Sequence, residues 1–189
     1  MADIEKILLE LKEILDEVGL PFFLIASTLL GIYRDGKPIG RFEVGFLDKD
    51  YTEEVEEKLN KKIKIGYPGG ERKDRAERYC QLYWDISGGH IEGHPVYFLG
   101  KYGYFNIDTF GALVWPRYMY EKLKKIKWAG VWWNMPSDTE KYLELFYGED
   151  WRTPQDWAWG EAPNLGKIEV SGGKKIIVSE EYKRLTSKS

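Results

Sequence analysis

The chain has 189 residues, and its 28 Lys and Arg against 31 Asp and Glu leave a formal net charge of −3. That balance argues against broad nucleic-acid binding. No apolar run reaches the roughly 20 residues of a membrane-spanning helix. The single cysteine, Cys80, excludes an internal disulfide and fits a reducing compartment. No apolar leader follows Met1, so a cytoplasmic protein is expected.

The central prediction is a strand–helix–strand unit near the N-terminus. The apolar run Phe22–Ile25 predicts a buried strand, Leu29–Tyr33 a short helix, and Glu43–Leu47 a second strand. Ser27 and Thr28 lie where the helix opens. Backbone N–H groups at a helix start lack intrahelical partners and suit a phosphate.

The remaining chain predicts further helices and short strands. Amphipathic spacing and capping residues predict helices over residues 3–18, 51–62, 117–125 and 136–146. Asp48 and Asp50 either cap the second of these helices or form a metal-binding pair. Short strands are predicted over residues 63–65, 80–86, 95–99, 104–107 and 131–133, with a closing hairpin over 167–170 and 174–178. The pattern predicts an α+β fold, in which a small mixed sheet carries helices packed against it.

Two groups of side chains leave alternatives open. His90 and His94 flank Glu92, and the three can ligate a metal or serve structural roles, because two histidines without a further Cys or His ligand are a weak signal. Aromatic residues make up 15% of the chain, which predicts an aromatic core or a cleft that stacks on sugars or bases. The candidates for an acceptor-sugar surface, at least half of them expected in the core, are Trp132, Trp133, Trp157 and Trp159.

Two separated blocks carry a family resemblance. Residues 26–34 (ASTLLGIYR) are close to G-T-L-L-G-x-x-R. Residues 134–143 (NMPSDTEKYL) and 147–154 (YGEDWRTP) match P-x-x-x-E-x-Y-L followed by Y-G-x-x-W-x-x-P. In these blocks the chain resembles the LicD/fukutin family of nucleotidyltransferase-fold proteins.

The resemblance implies a nucleotidyltransferase-like domain over residues 1–166, with residues 167–189 as a C-terminal hairpin and tail. It also implies transfer of a phosphocholine or polyol-phosphate type group from a nucleotide-activated donor to a sugar or glycan acceptor, with Mg²⁺ or Mn²⁺ as cofactor. By match, Ser27 and Thr28 lie at the phosphate loop. Arg34 matches the phosphate-binding Arg, the alternative being a surface ion pair with Asp35 or Glu43.

The metal-binding part of the resemblance is degenerate. Where the family has a D-x-D pair, this chain has Glu43 at the first position and Gly45 at the second. A glutamate can still ligate a metal, whereas glycine has no side chain to do so. Arg41 stands next to this pair, where its charge is expected to repel a cation.

A further carboxylate is expected on a later strand. Its spacing makes Asp85 the best candidate, with Glu92 and Asp108 as rivals. Glu43 and Asp85 are therefore the predicted catalytic residues and metal ligands.

Three interpretations remain at the level of sequence. The first is an active but divergent metal-dependent transferase. The second is a catalytically inactive protein of the same fold that binds a nucleotide, a sugar or a protein partner. The third is an unrelated α+β domain with coincidental motifs.

Overall fold

A computed structural model of the chain describes residues 4–67, 81–106, 112–156, 162–171 and 174–178. From residue 165 onward the description covers the backbone. The predicted α+β class is confirmed. The described helices are α1 (Ile4–Val18), α2 (Ala26–Leu30), α3 (Glu53–Asn60), α4 (Tyr118–Glu121) and α5 (Thr139–Tyr147). The described strands are β1 (Phe22–Leu24), β2 (Phe42–Leu47), β3 (Lys64–Gly66), β4 (Leu82–Ile86), β5 (Gly89–Leu99), β6 (Tyr102–Asn106), β7 (Ala112–Pro116), β8 (Lys124–Trp128), β9 (Val131–Met135), β10 (Leu165–Ser171) and β11 (Lys174–Val178).

The chain forms two compact units, Met1–Val96 with Leu123–Met135, and Tyr97–Lys122 with Pro136–Ser189. The first unit is built on a sheet in the order β1-β2-β5-β4-β3. Strand β2 runs parallel to β5, while β1–β2, β5–β4 and β4–β3 are antiparallel pairs. This mixed pairing places the middle of β2 between two neighbouring strands, and its four central residues are buried.

Helix α1 covers the first unit with one apolar face. Its buried side chains, which recur at helical spacing, are Ile7, Leu8, Leu11, Leu15 and Val18. A Cβ added at Gly89 would lie 2.5 Å from Ile7 Cδ1, so the helix packs closely over the start of β5. Gly19 ends the helix in the left-handed region, with φ of +77°.

The helix predicted over residues 117–125 is wrong beyond its first turn. Helix α4 ends at Glu121, and Lys124 already begins β8, which pairs antiparallel with β9. Apolar residues alternate with lysines in β8, a period of two that the helix prediction overlooked. Ala129 and Gly130, both at positive φ, form the tight turn that brings β9 back.

Helix α3 is shorter than predicted and has a different cap. Residues Asp48–Asp50 form a separate 3₁₀ turn, and the helix begins at Glu53. Thr52 Oγ1 accepts a hydrogen bond from Val55 N at 3.3 Å, so Thr52 is the N-cap in place of Asp48 or Asp50.

The second unit has an aromatic core. Trp115 on β7 is fully buried and stacks on Tyr142 of α5, with ring centroids 4.7 Å apart. The Trp115 indole N–H donates to the Tyr142 carbonyl at 3.2 Å, which satisfies its one polar group. Strands β6, β7, β10 and β11 lie side by side in this order, and the predicted hairpin at the C-terminal end is confirmed. No helix among the described residues has the length and apolar character to cross a bilayer.

Candidate functional site

Glu43 is the first member of a buried polar cluster in the first unit. It lies on β2 with 2% of its surface exposed. Its Oε2 accepts a hydrogen bond from Ser27 N at 3.1 Å and lies 2.5 Å from Ser27 Oγ. The same hydroxyl lies 2.7 Å from the Arg41 carbonyl oxygen. The single proton of the Ser27 hydroxyl is therefore within donating distance of both Glu43 Oε2 and the Arg41 carbonyl.

Thr28 ties the start of α2 to the start of β2. Its buried Oγ1 accepts from Glu43 N at 2.7 Å and donates to the Arg41 carbonyl at 3.3 Å. The chain reaches this position through Ala26, a non-glycine residue at φ of +46°. A left-handed alanine costs on the order of 1 kcal/mol, which the surrounding hydrogen bonds offset.

Glu92 and His94 complete the cluster from β5. In the parallel β2–β5 register, Glu43 is paired with Glu92 and Gly45 with His94. His94 Nε2 lies 3.7 Å from Glu92 Oε2 and 3.9 Å from Glu43 Oε1, and all three side chains are almost fully buried. One ligand atom from each residue lies within 4.8 Å of the others. Within the part of the chain that the structure describes, this group is able to hold a metal ion.

The two carboxyl groups have opposite pKa shifts. Burial is the largest influence on Glu43 and raises its pKa above the ordinary value, against the lowering effects of His94 and Ser27. Burial also acts to raise the pKa of Glu92, but the His94 imidazole and the Arg41 guanidinium outweigh it, so that pKa is lowered. Glu43 therefore keeps its proton to a higher pH than Glu92 does.

Gly45 leaves no room for a second ligand on β2. A Cβ at this position would lie 2.5 Å from Phe23 Cε2 and 2.9 Å from Ile25 Cγ2. Phe23 is 1% exposed, so its ring cannot move aside without disturbing the core. Core side chains therefore fill the space that a ligand side chain at Gly45 would need. His94 is the residue paired with Gly45 on the neighbouring strand.

Asp85 lies outside the buried group. It is paired with His90 across β4 and β5, and its Oδ1 accepts a hydrogen bond from His90 Nδ1 at 2.9 Å. Its side chain is 52% exposed and also lies 4.0 Å from Lys64 Nζ. Its role as a metal ligand stays a prediction, while the geometry favours its rival Glu92. Asp108, the other rival, lies outside the described residues.

The two arginines near the site are placed differently from what the sequence suggested. Arg34 forms a two-point ion pair with Asp35, at 2.9 Å from Nε to Oδ1 and 2.8 Å from Nη2 to Oδ2. This is the alternative the sequence left open, and phosphate binding by Arg34 stays a prediction. Arg41, expected to repel a cation, instead binds Glu92 Oε1 through Nη1 at 2.9 Å.

The four tryptophans suggested for an acceptor surface divide as expected where they are described. Trp133 is buried in the core, and its indole N–H donates to the Trp128 carbonyl at 3.1 Å. Trp132 is 57% exposed on β9. Trp157 and Trp159 lie outside the described residues.

The sequence offered Glu92 as a rival of Asp85 for the carboxylate that joins Glu43, and His94 as a separate candidate ligand, but it did not bring the three together. The signal was their spacing, because residues i and i+2 of a strand share one face. The prediction placed the strand at residues 95–99, whereas β5 begins at Gly89 and carries both side chains. With the longer strand, Glu92 and His94 point to the same side as Glu43.

The fold is similar to that of the lincomycin-bound lincosamide antibiotic adenylyltransferase LnuA, with a TM-score of 0.47 and 14% identity. The match covers 77% of this chain and 87% of that one. No family model and no curated protein matches the sequence.

Proposed function

We propose that this chain is a metal-dependent transferase that moves a phospho-linked group from a nucleotide-activated donor to an acceptor hydroxyl. The observation that carries the proposal is the buried group of Glu43, Glu92 and His94. Fully buried ionisable groups are rare without a partner or a ligand, and they concentrate at functional sites. The LicD/fukutin resemblance supplies the finer proposal of a phosphocholine or polyol-phosphate group and a glycan acceptor.

The donor set fits a divalent cation. Two carboxylates and one imidazole suit Mn²⁺, and Mg²⁺ is commonly held by one or two carboxylates together with substrate phosphates. His94 Nε2 lies 3.7 Å from Glu92 Oε2 and 3.9 Å from Glu43 Oε1, so one ion could be reached by all three side chains. The cation would neutralise charge that develops on the transferred phosphoryl group.

The chain's own residues prepare this site. Ser27 and Thr28 hold the Glu43 carboxyl and backbone through hydrogen bonds from the start of α2. Against the raising effect of burial, His94 and then Arg41, which donates to Glu92 Oε1 at 2.9 Å, lower the pKa of the Glu92 carboxyl. Because metal ligands must be deprotonated, Glu43 has to lose its proton when a cation binds.

A second candidate is a non-catalytic protein that binds a nucleotide or a sugar. The packed Gly45 favours it, because one carboxylate of the usual pair is lost and two-metal chemistry needs several bridging ligands. The two candidates differ in whether a metal is required for nucleotide binding and turnover.

The experiment is a calorimetric titration of Mn²⁺ and Mg²⁺, alone and with CDP-choline or CDP-ribitol, followed by an assay for release of the cytidine nucleotide. We expect metal binding in the wild type and donor binding that strengthens with metal. Glu43→Gln should lose metal binding and the strengthening of donor binding by metal. Its melting temperature should stay close to that of the wild type, because glutamine matches the size of a neutral glutamic acid.

Glu56→Gln is the matched control. Glu56, on α3, is also buried, but it accepts a hydrogen bond from the Tyr67 hydroxyl and is not part of the cluster. It should bind Mn²⁺ like the wild type. Donor binding that ignores metal would support the non-catalytic candidate, and absence of both metal and donor binding would contradict both.

A further inference from the structure

A cleft opens on the same sheet face as the carboxylate cluster, beside Glu92. Its volume is about 430 Å³. Its lining residues, all in the first unit, are Arg41, Phe42, Tyr83, His90 and Glu92. Glu92 is the link, because it belongs both to the cleft wall and to the buried group.

Two aromatic rings stack on each other at this cleft, and the outer face of the stacked pair is called the platform below. The Tyr83 and His90 rings lie with centroids 4.8 Å apart and planes inclined by 32°. Tyr83 and Glu92 are paired in the β4–β5 register, and so are Asp85 and His90, so the two rings lie on a diagonal of one sheet face.

Hydrogen bonds from neighbouring side chains fix both rings. Asp85 holds His90 through its Nδ1, and Gln81 Nε2 donates to the Tyr83 hydroxyl at 2.5 Å. The His90 side chain is nevertheless 51% exposed. Tyr83 is half-buried. Rings that are partly accessible and held in place are suited to stacking, since little conformational freedom is lost when a ligand binds.

Arg41 supplies a positive charge at the cleft. Its side chain is 69% exposed, and its described contact with Glu92 uses one of the five guanidinium N–H donors. The other donors are available to an anion that enters from solvent. Arginine is the side chain best suited to two-point recognition of a phosphate.

We propose that this cleft binds the nucleobase end of a nucleoside phosphate, with the base stacked on the outer face of the Tyr83–His90 ring pair and a phosphate oxygen bonded to Arg41. The inference rests on the proposed function for the role of the nucleotide as donor. It assigns Asp85 a positioning role through His90 in place of metal ligation. A flat unsaturated ring next to an anionic group is the chemistry that this pairing of platform and cation recognises.

The test measures binding without metal, in the presence of a chelator, so that the subsite is read separately from the cation. The probes are CMP, UMP, AMP and GMP, their nucleosides, and ribose 5-phosphate as a phosphate without a base. We expect the nucleotides to bind more tightly than the nucleosides, and ribose 5-phosphate to bind most weakly. Tyr83→Leu should weaken nucleotide binding roughly ten-fold, and Tyr83→Phe should preserve it.

Arg41→Gln should remove the advantage of CMP over cytidine while cytidine still binds. Tyr118→Leu is the control, because Tyr118 is 50% exposed and belongs to the second unit. Circular dichroism of each variant separates lost binding from lost folding. Comparing Tyr83→Phe, which keeps the aromatic ring, with Tyr83→Leu, which removes it, measures the contribution of the ring to binding.

The proposal is overturned if no nucleotide binds without metal, if Tyr83→Leu binds CMP like the wild type, or if ribose 5-phosphate binds as tightly as CMP. In the last case the cleft is a sugar-phosphate site. Metal-free CMP binding that depends on Tyr83, together with no Mn²⁺ binding, would support the subsite and contradict the transferase. If Mn²⁺ binds the wild type but not Glu43→Gln, and Tyr83→Leu binds CMP like the wild type, the metal site of the transferase is supported and the nucleotide subsite is contradicted.

Discussion

Glu43 and Glu92 face each other in register across the parallel β2–β5 pair, with 2% and 4% of their surfaces exposed. Two carboxyl groups this close and this buried destabilise the charged form of at least one of them. The protein meets this cost with a hydrogen-bonded Glu43 of raised pKa and a Glu92 whose charge is stabilised by His94 and Arg41. A cation placed among the three side chains would allow both carboxyl groups to ionise.

The first prediction separates the two candidates for the second carboxylate. Glu92→Gln should weaken Mn²⁺ binding at least ten-fold, because a neutral amide is a poor ligand. Asp85→Asn should leave the Mn²⁺ affinity within two-fold of the wild type, since Asp85 bonds His90 outside the cluster. Calorimetry measures the Mn²⁺ affinity of both variants. Loss of Mn²⁺ binding in Asp85→Asn but not in Glu92→Gln would identify Asp85 as the metal ligand, as the sequence predicted.

The second prediction concerns the pH dependence of stability without metal. A folded pKa raised above the unfolded value adds stability at low pH, and this contribution is lost as pH rises through the folded value. For Glu43 the loss begins above its ordinary value of 4.5. Urea unfolding between pH 4 and pH 8 should therefore show the wild type losing stability relative to Glu43→Gln as pH rises.

Glu92 acts with the opposite sign in the same experiment. Its lowered pKa gives stability that is present above 4.5 and is lost as pH falls through the folded value. Taking the difference between the wild type and Glu43→Gln cancels most of this contribution. Saturating Mn²⁺ should shrink or reverse the difference in the wild type, and parallel pH curves without metal would contradict the pKa shift of Glu43.

The third prediction concerns Gly45. Gly45→Ala should destabilise the protein by about 1–3 kcal/mol, because the new methyl group overlaps the Phe23 ring in a packed core. Gly45→Asp should destabilise it more and should not improve Mn²⁺ affinity. The free energy of unfolding in urea provides the measurement.

Gly66→Ala is the comparison for Gly45→Ala, since its added Cβ would lie 3.3 Å from the nearest atom, on the Tyr83 side chain. Gly66→Ala should lower the free energy of unfolding by less than Gly45→Ala does. If Phe23→Leu restores part of the stability lost in Gly45→Ala, the overlap is with the Phe23 ring. Equal losses of stability in Gly45→Ala and Gly66→Ala would contradict this overlap.

The fourth prediction concerns the hydrogen bonds that hold Glu43. Thr28→Val removes the oxygen that accepts from the buried Glu43 N–H, which should cost about 1–3 kcal/mol of stability. Thr28→Ser keeps the hydroxyl and should recover most of that cost, apart from the lost methyl group. Thermal unfolding of both variants gives the comparison, and similar losses in the two would assign the effect to packing alone.

Much of the local structure follows from short-range patterns in the chain. Helix α1 and the strands β1 and β2 were predicted to within one residue. Helix α1 keeps an unbroken apolar period of 3.6, β1 is a continuous apolar run, and apolar residues alternate along the start of β2. The predicted helix over residues 117–125 ran two residues into β8, and the pairing of β8 with β9 makes Lys124–Trp128 a strand. Propensity is a weak guide there because cross-strand contacts outweigh it.

By itself, the sequence determined the α+β class, the buried strand that carries Glu43, and the glycine where a second ligand was expected. The tertiary structure alone decided that Glu43 is joined by Glu92 and His94, while Asp85 bonds His90 at the cleft. The reason is register: a parallel pairing of β2 with β5 links residues about 50 positions apart, and a shift of one residue would turn Glu92 and His94 to the other face. No local pattern in either strand encodes that alignment.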